Sequence, residues 1–253
     1  MRSFLAYLSA FAFLSSLVPL NGMCAMMTLL ASQDNTIYSE DGGLSNGAGE
    51  YLFSGRTNSG GPVRRGLIKF DIAGQIPAGS MITNATLGLK LVNPRTTNTA
   101  TINIHRVTSN WGEGTSKALG EEGGGIAATP GDATWTESLF GSTNWGAVGG
   151  DLVPSVSASL SVSTNALYQW SSAGLTADVQ SFLNNGGSNF GWILIGNESV
   201  NLTAKRFGSS ENLVAGDRPF LTVEYTAVPE PSSALLLGCS AIPIFLRRRR
   251  NCV

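Results

Sequence analysis

Ala85-Thr86-Leu87-Gly88-Leu89-Lys90-Leu91 alternates with period two, placing Ala85, Leu87, Leu89 and Leu91 on one face and Thr86, Gly88 and Lys90 on the other. A strand with one buried face has this period, because successive side chains of an extended chain point to opposite sides. Thr101-Ile102-Asn103-Ile104-His105-Arg106-Val107 repeats it, with Ile102 and Ile104 on one side. Shorter extended runs are Thr36 to Ser39, Tyr51 to Phe53, Leu67 to Asp71, Trp192 to Ile195, Ala204 to Phe207 and Phe220 to Tyr225, separated by turns rich in Gly, Pro, Asn and Asp. Many short strands with such punctuation predict an all-β fold, an antiparallel β-sandwich or jelly roll. One stretch has another period: Leu175, Val179, Phe182 and Leu183 at helical spacing, with Thr176 as cap and Asn184-Asn185-Gly186-Gly187 as stop. It predicts one short helix covering an open end of the sandwich. The glycine-rich segment from Gly112 to Gly150 has few apolar residues and reads as long loops.

The two ends differ from this body. Arg2 is the only charge before Asp34, and Phe4 to Leu20 is largely apolar, the pattern of a secretory leader helix. The leader is expected to span residues 1–31, with the cut between 25 and 31, where Met23-Cys24-Ala25 and Leu29-Leu30-Ala31 each end on a small residue. At the other end, Ser232 to Leu246 is uncharged and apolar and is followed at once by Arg247, Arg248, Arg249 and Arg250. A greasy segment stopped by clustered arginines halts a chain during export, with its cationic end left in the cytoplasm. The block has 15 residues and contains Pro243, short of the roughly 20 of a full helical span. It suits a transient transmembrane helix better than a permanent anchor.

The body is then 32–227, long enough for one domain with a sizeable core. All three cysteines, Cys24, Cys239 and Cys252, lie outside it, so neither disulfide nor cysteine-bound metal is expected to hold it. Without Arg2 and the four tail arginines it keeps eleven of the 16 basic residues, and without Glu230 sixteen of the 17 acidic ones. A body near −5 argues against nucleic acid or anionic lipid as partner. Charged residues are 13% of the chain, about half the usual share. The surface is accordingly built from Ser, Thr, Asn and Gly.

Val228-Pro229-Glu230-Pro231, the apolar block and the arginines together make a tripartite tail, 228–253, that resembles the PEP-CTERM sorting signal of Gram-negative, exopolysaccharide-making bacteria. The resemblance implies an exosortase-type membrane protease as partner, cutting near Pro-Glu-Pro. It also implies passage through the inner membrane, then residence on the outer surface or in the extracellular matrix.

The body carries a second likeness, spread over most of its length. Its pieces are Asp34-Asn35-Thr36, Arg65-Gly66-Leu67-Ile68-Lys69-Phe70-Asp71, Ile76-Pro77-Ala78-Gly79, Trp111-Gly112-Glu113-Gly114 and Gly131-Asp132-Ala133-Thr134-Trp135. Trp145, Gly149-Gly150-Asp151, Gly191-Trp192-Ile193-Leu194, Arg206-Phe207-Gly208-Ser209-Ser210-Glu211 and Arg218-Pro219 follow in order. It is similar to the DNRLRE-type exported β domain, a group overlapping carbohydrate-binding modules of family 96. The chain departs from the family's named motif, reading Gln33-Asp34-Asn35-Thr36. The likeness implies a jelly-roll-like sandwich and polysaccharide binding, and it does not imply catalysis.

Chemistry read from the residues themselves is sparse. His105 is the only histidine, so a nucleophile–histidine arrangement has one base available and no cysteine in the body. Its strand position reads as solvent-facing or loop-covered. Glu121 and Glu122 sit among glycines as flexible exposed charges, while Glu113, Asp132 and Glu137 share the loop region and leave a carboxylate pair open. A non-enzyme is expected. A structural calcium would draw on Asp34, Asp41, Asp132, Asp151 and Asp217, all near turns; no Asp-x-Asp-x-Asp loop marks a site, and turn capping is the default.

For sugar binding, Trp170 and Trp192 read as core, while Trp111, Trp135 and Trp145 lie in the glycine-rich half and are the candidate stacking platforms. Trp135→Ala is expected to weaken glycan retention without lowering stability. Arg64, Arg65, Lys69 and Lys90 are candidate contacts for an anionic polysaccharide if their strands are neighbours, although Arg65 reads better as a buried partner of a carboxylate. The function expected is a non-catalytic exported β-sandwich associated with extracellular polysaccharide. The alternatives are a structural or adhesive surface protein without a sugar site, or a polysaccharide-cleaving enzyme.

Overall fold

The computed structural model describes residues 23–58 and 60–227. The expected leader helix, the tail motif Val228 to Pro231, the transmembrane segment and the arginine cluster lie outside them. Among the described residues no helix is long and apolar enough to cross a membrane.

The body is all-β and antiparallel, with one helix. Its strands are β1 Cys24–Leu30, β2 Gln33–Tyr38, β3 Leu44–Ser45, β4 Tyr51–Arg56, β5 Val63–Lys69, β6 Met81–Asn93, β7 Ala100–Arg106 and β8 Ile126–Ala127. They continue as β9 Glu137–Leu139, β10 Thr143–Asn144, β11 Ala158–Val162, β12 Ala166–Ser171, β13 Trp192–Ile195, β14 Lys205–Gly208 and β15 Phe220–Thr226. The main sheet runs β1-β15-β6-β14-β4-β5-β13-β7-β11, with β12 added beside β6 and β2 beside β5. It curls at β4, whose Tyr51 to Ser54 pair with β14 while Gly55 and Arg56 pair with β5. The two halves bury Leu52, Leu87, Leu89, Leu91, Ile104, Trp170, Trp192, Leu194 and Phe207 together. Trp170 and Trp192 are core, as expected. Each indole N–H is satisfied inside, Trp170 Nε1 donating to Ile102 O at 3.0 Å and Trp192 Nε1 to Asp178 Oδ2 at 2.9 Å.

The alternating run at 85–91 lies in β6, where Ala85, Leu87, Leu89 and Leu91 are fully buried. Ile82 is buried too, three residues before Ala85, which strict alternation forbids. A bulge reconciles them: Glu224 faces Asn84 but Tyr225 faces Ile82, so Thr83 is the extra residue that resets the phase. In β5 and β13 both faces are covered: Ile68, Trp192 and Leu194 join the main core, while Leu67 and Ile193 join a second cluster with Ile37, Val107, Trp111, Ala133 and Trp145. That is why Trp192-Ile193-Leu194-Ile195 is continuously apolar. The segment from 112 to 150 covers this second face, mostly as loops, with only β8, β9 and β10 as short strands.

The helix, α1 Ala173–Asn184, buries Leu175, Val179, Phe182 and Leu183 as its period required. Its cap differs from expectation. Ser172, not Thr176, is the N-cap, its hydroxyl accepting from Leu175 N–H at 3.0 Å, whereas Thr176 lies one turn inside and donates to Ser172 O. The start of the body also differs. Residues 24–30, expected to leave with a leader ending at 31, form β1 and pair along its whole length with β15.

Candidate functional site

The three candidate tryptophans do not form a platform. Trp111 and Trp145 are 2% and 5% exposed, and their indole N–H groups donate inward to Phe190 O and Thr134 O, each at 2.8 Å. Both plug the second cluster, so neither face is free for a sugar. Trp135 is half-buried, and one face is already taken: the Arg65 guanidinium lies 4.8 Å from its ring centroid. Arg65 in turn makes a bidentate pair with Glu198 at 2.7 and 2.9 Å and donates to Gly149 O at 2.7 Å. Gly149, with φ +86°, permits this approach, since a Cβ there would sit 2.7 Å from Arg65 Nη1 and 2.9 Å from Trp135 Cζ2.

The candidate cations disperse as well. β5 and β6 are separated by β4 and β14, so Lys69, opposite Gln33, and Lys90, opposite Leu167, are not neighbours. Arg64 is 4% exposed: it chelates Glu40, donates through Nε and Nη2 to Gly123 O, and stacks 5.0 Å over Tyr38.

The fold assembles a different set. Phe53 of β4, Arg206 of β14 and Asn93 of β6 are cross-strand neighbours, and their row floors a groove of about 180 Å³. Arg64, Arg95, Lys205 and Glu121 also line it. Lys205 is fully buried, and its ammonium donates to Thr96 O at 2.8 Å and Asn98 O at 2.7 Å, which pins the 94–98 turn forming one wall. Burial pulls its pKa below the usual lysine value. Arg95, exposed and in the left-handed region at φ +54°, makes no ion pair among the described residues. Arg206 stacks 4.1 Å over Tyr51, pairs through Nη1 with Glu121, and keeps a buried Nε without a partner. Four of the eleven cations of an acidic body thus line one groove; Glu121 pairs with Arg206 and Glu40 with Arg64, and the charges of Arg95 and Lys205 leave the local field positive.

Glu121 and Glu122, expected to behave alike, have opposite fates. Glu121 is 84% exposed and reaches back to Arg206. Glu122 is buried at φ +59°, and its carboxylate accepts from Glu50 N, Tyr51 N and Asn46 Nδ2, each at 3.0 Å. Glu122 therefore anchors the turn that presents Glu121. Arg95, Lys205 and Arg206 escape a reading of the sequence as candidates because the groove joins positions from 53 to 206. The only local sign is the adjacent Lys205-Arg206, which points to opposite faces of one strand.

The other chemistry-bearing groups serve the frame. His105 is 8% exposed, with Nδ1 3.1 Å from Val153 O, the loop-covered position expected. Asp132 accepts from Thr115 N and Thr129 N, and Glu137 from Gly141 N, each closing a loop turn. Asp151 accepts from Gly146 N, Ala147 N and Ser109 Oγ; burial raises its pKa, and these bonds outweigh it and hold the carboxyl below its usual value. Asp34 is 1% exposed, and burial, reinforced by nearby Glu211, pushes its pKa up to about 8. Its Oδ2 accepts from Ser210 N at 2.7 Å, and its own N–H donates to Glu113 at 2.8 Å. Among the described residues no three His, Cys, Asp or Glu side chains are arranged to hold a metal ion.

Compared with known proteins, the chain matches no protein-family model, and no curated protein matches it significantly.

Proposed function

We propose that this protein is a non-catalytic, exported β domain of jelly-roll-like type that binds extracellular polysaccharide through the groove between β4, β14 and the turns at 94–98 and 119–125. The observation that carries this is the pair of guanidinium groups at one groove, exposed Arg95 and partly exposed Arg206, with Arg64 and Lys205 held as buried charges in its walls. A guanidinium fork matches a carboxylate or sulfate geometrically. Glu121 holds the position an acidic sugar would take on Arg206. At about 180 Å³ the groove is smaller than the ~300–1,000 Å³ of sites that enclose a whole ligand, which suits one residue of a chain whose remainder stays in solvent. Export and exosortase sorting are part of the same proposal and rest on the apolar ends and the Pro-Glu-Pro tail.

The test is retention of the mature protein on uronate-bearing, sulfated and neutral glycans. Binding is expected to the acidic ones, and to weaken with salt. Arg206→Ala should weaken it about ten-fold or more, the worth of a charge-assisted hydrogen bond. Glu121→Gln should strengthen it by removing the internal competitor, with little change in melting temperature because the Glu121 side chain is 84% exposed. Failure to bind any glycan by a folded protein would favour the structural or adhesive role; product formation would favour the enzyme.

A further inference from the structure

Strand β1 belongs to the main sheet. All seven of its residues pair with β15, from Cys24 opposite Thr226 to Leu30 opposite Phe220. Leu29 is 5% exposed within the main core, and Ala25, Met27 and Ala31 pack against that core. Thr28 Oγ1 meets Thr222 Oγ1 at 3.3 Å across the pair. β15 lies between β1 and β6, so loss of β1 would uncover both the Leu29 contact and the whole outer edge of β15. A bare seven-residue edge is a template for pairing with other chains. A cut after Ala31 would erase every one of these contacts.

A leader peptidase selects small residues at the last and third-last positions before the cut. Gly22-Met23-Cys24 satisfies this spacing with Gly22 and Cys24. Leu29-Leu30-Ala31 places the core residue Leu29 at the third-last position. We infer that the processing bond is Cys24–Ala25, an assignment that rests on reading residues 1–24 as an export leader. A membrane-bound peptidase hydrolyses it: the amide C–N bond breaks, and water supplies the hydroxyl of the Cys24 carboxyl group and the proton of the Ala25 amine. The product keeps Ala25 to Leu30 and so six of the seven register pairs. The exposed thiol of Cys24 leaves with the leader. The new amino terminus lies opposite Tyr225, close to the end of β15 at Thr226.

The test uses the full chain expressed in a Gram-negative host, with amino-terminal sequencing and intact mass of the exported form. The expected sequence begins Ala-Met-Met-Thr. Any other first residue overturns the assignment, and a start at Met1 in exported protein removes the leader reading as well, which distinguishes the two failures. Cys24→Leu, at an exposed strand position, should cause uncleaved precursor to accumulate. Ala31→Leu should be processed at the same bond as the unaltered chain. The reverse pattern, with Ala31→Leu blocked and Cys24→Leu cleaved, would likewise overturn it.

Discussion

At the scale of single residues, the difference between a functional and a structural side chain lies in what already occupies its surface. Trp135 has the residue type and loop position of a sugar platform, but Arg65 covers one of its faces and Gly149 seals its edge. The expectation for Trp135→Ala therefore reverses. The substitution should lower stability by about 2 kcal/mol, through lost packing and the lost cation–π contact, and leave glycan retention per folded molecule unchanged; urea unfolding and glycan titration measure both. Asp34 makes a second prediction. Its folded pKa of about 8 is above the ordinary value of 3.8, so between these limits the folded state holds a proton that the unfolded state has lost. Stability should fall as pH rises from about 4 to about 8 and level off above. Asp34→Asn, which keeps an acceptor for Ser210 N–H, should flatten that slope, with its largest gain at the alkaline end. Melting temperature against pH reads the outcome, and an unchanged slope would assign the pH dependence to other groups.

At the scale of elements, period and turn chemistry identified the regular strands and the helix, and boundary chemistry was where neighbouring residues competed. Thr176 and Ser172 both have hydroxyls suited to a cap, but only Ser172 has extended backbone at the helix entrance, φ −166° and ψ 164°. Ser172→Ala should cost about 1 kcal/mol in denaturant unfolding, whereas Thr176→Ala should cost less because its hydroxyl only supplements an intrahelical carbonyl. β11 and β12 passed unread: Ala158-Ser159-Leu160-Ser161-Val162 does alternate, but over five residues rich in serine, and Ala166-Leu167-Tyr168-Gln169-Trp170-Ser171 breaks the period at Leu167. Each lies at the margin of the sheet and buries few of its side chains. β1 was assigned to the leader because no charge falls between Arg2 and Asp34 and the small residue Ala31 closes the run Cys-Ala-Met-Met-Thr-Leu-Leu. A half-exposed edge strand and the end of an export leader share that composition, and only a partner at β15 tells them apart.

At the scale of the whole molecule, the ends and the body answer different physical demands. The ends are apolar and carry arginine, which under the export proposal suits them to a bilayer; the body is acidic, glycine-rich and poor in charge, and packs around two cores. Replacing Pro229, Glu230 and Pro231 by alanine should leave a larger, membrane-associated precursor, and an unchanged mature mass would remove the exosortase from the proposal. What the sequence by itself determined is what depends on neighbours along the chain: the strand period, the helix face, the inward Trp170 and Trp192 and the apolar ends. The tertiary structure alone decided what depends on distant partners. It separated Lys69 from Lys90, buried Trp111, Trp145 and Glu122, kept β1 in the sheet, and brought Arg64, Arg95, Lys205 and Arg206 around one groove. The reason is that β strands pair across sequence gaps that periodicity cannot register, so the chemistry of a sheet's outer face becomes defined only when its neighbours are in place.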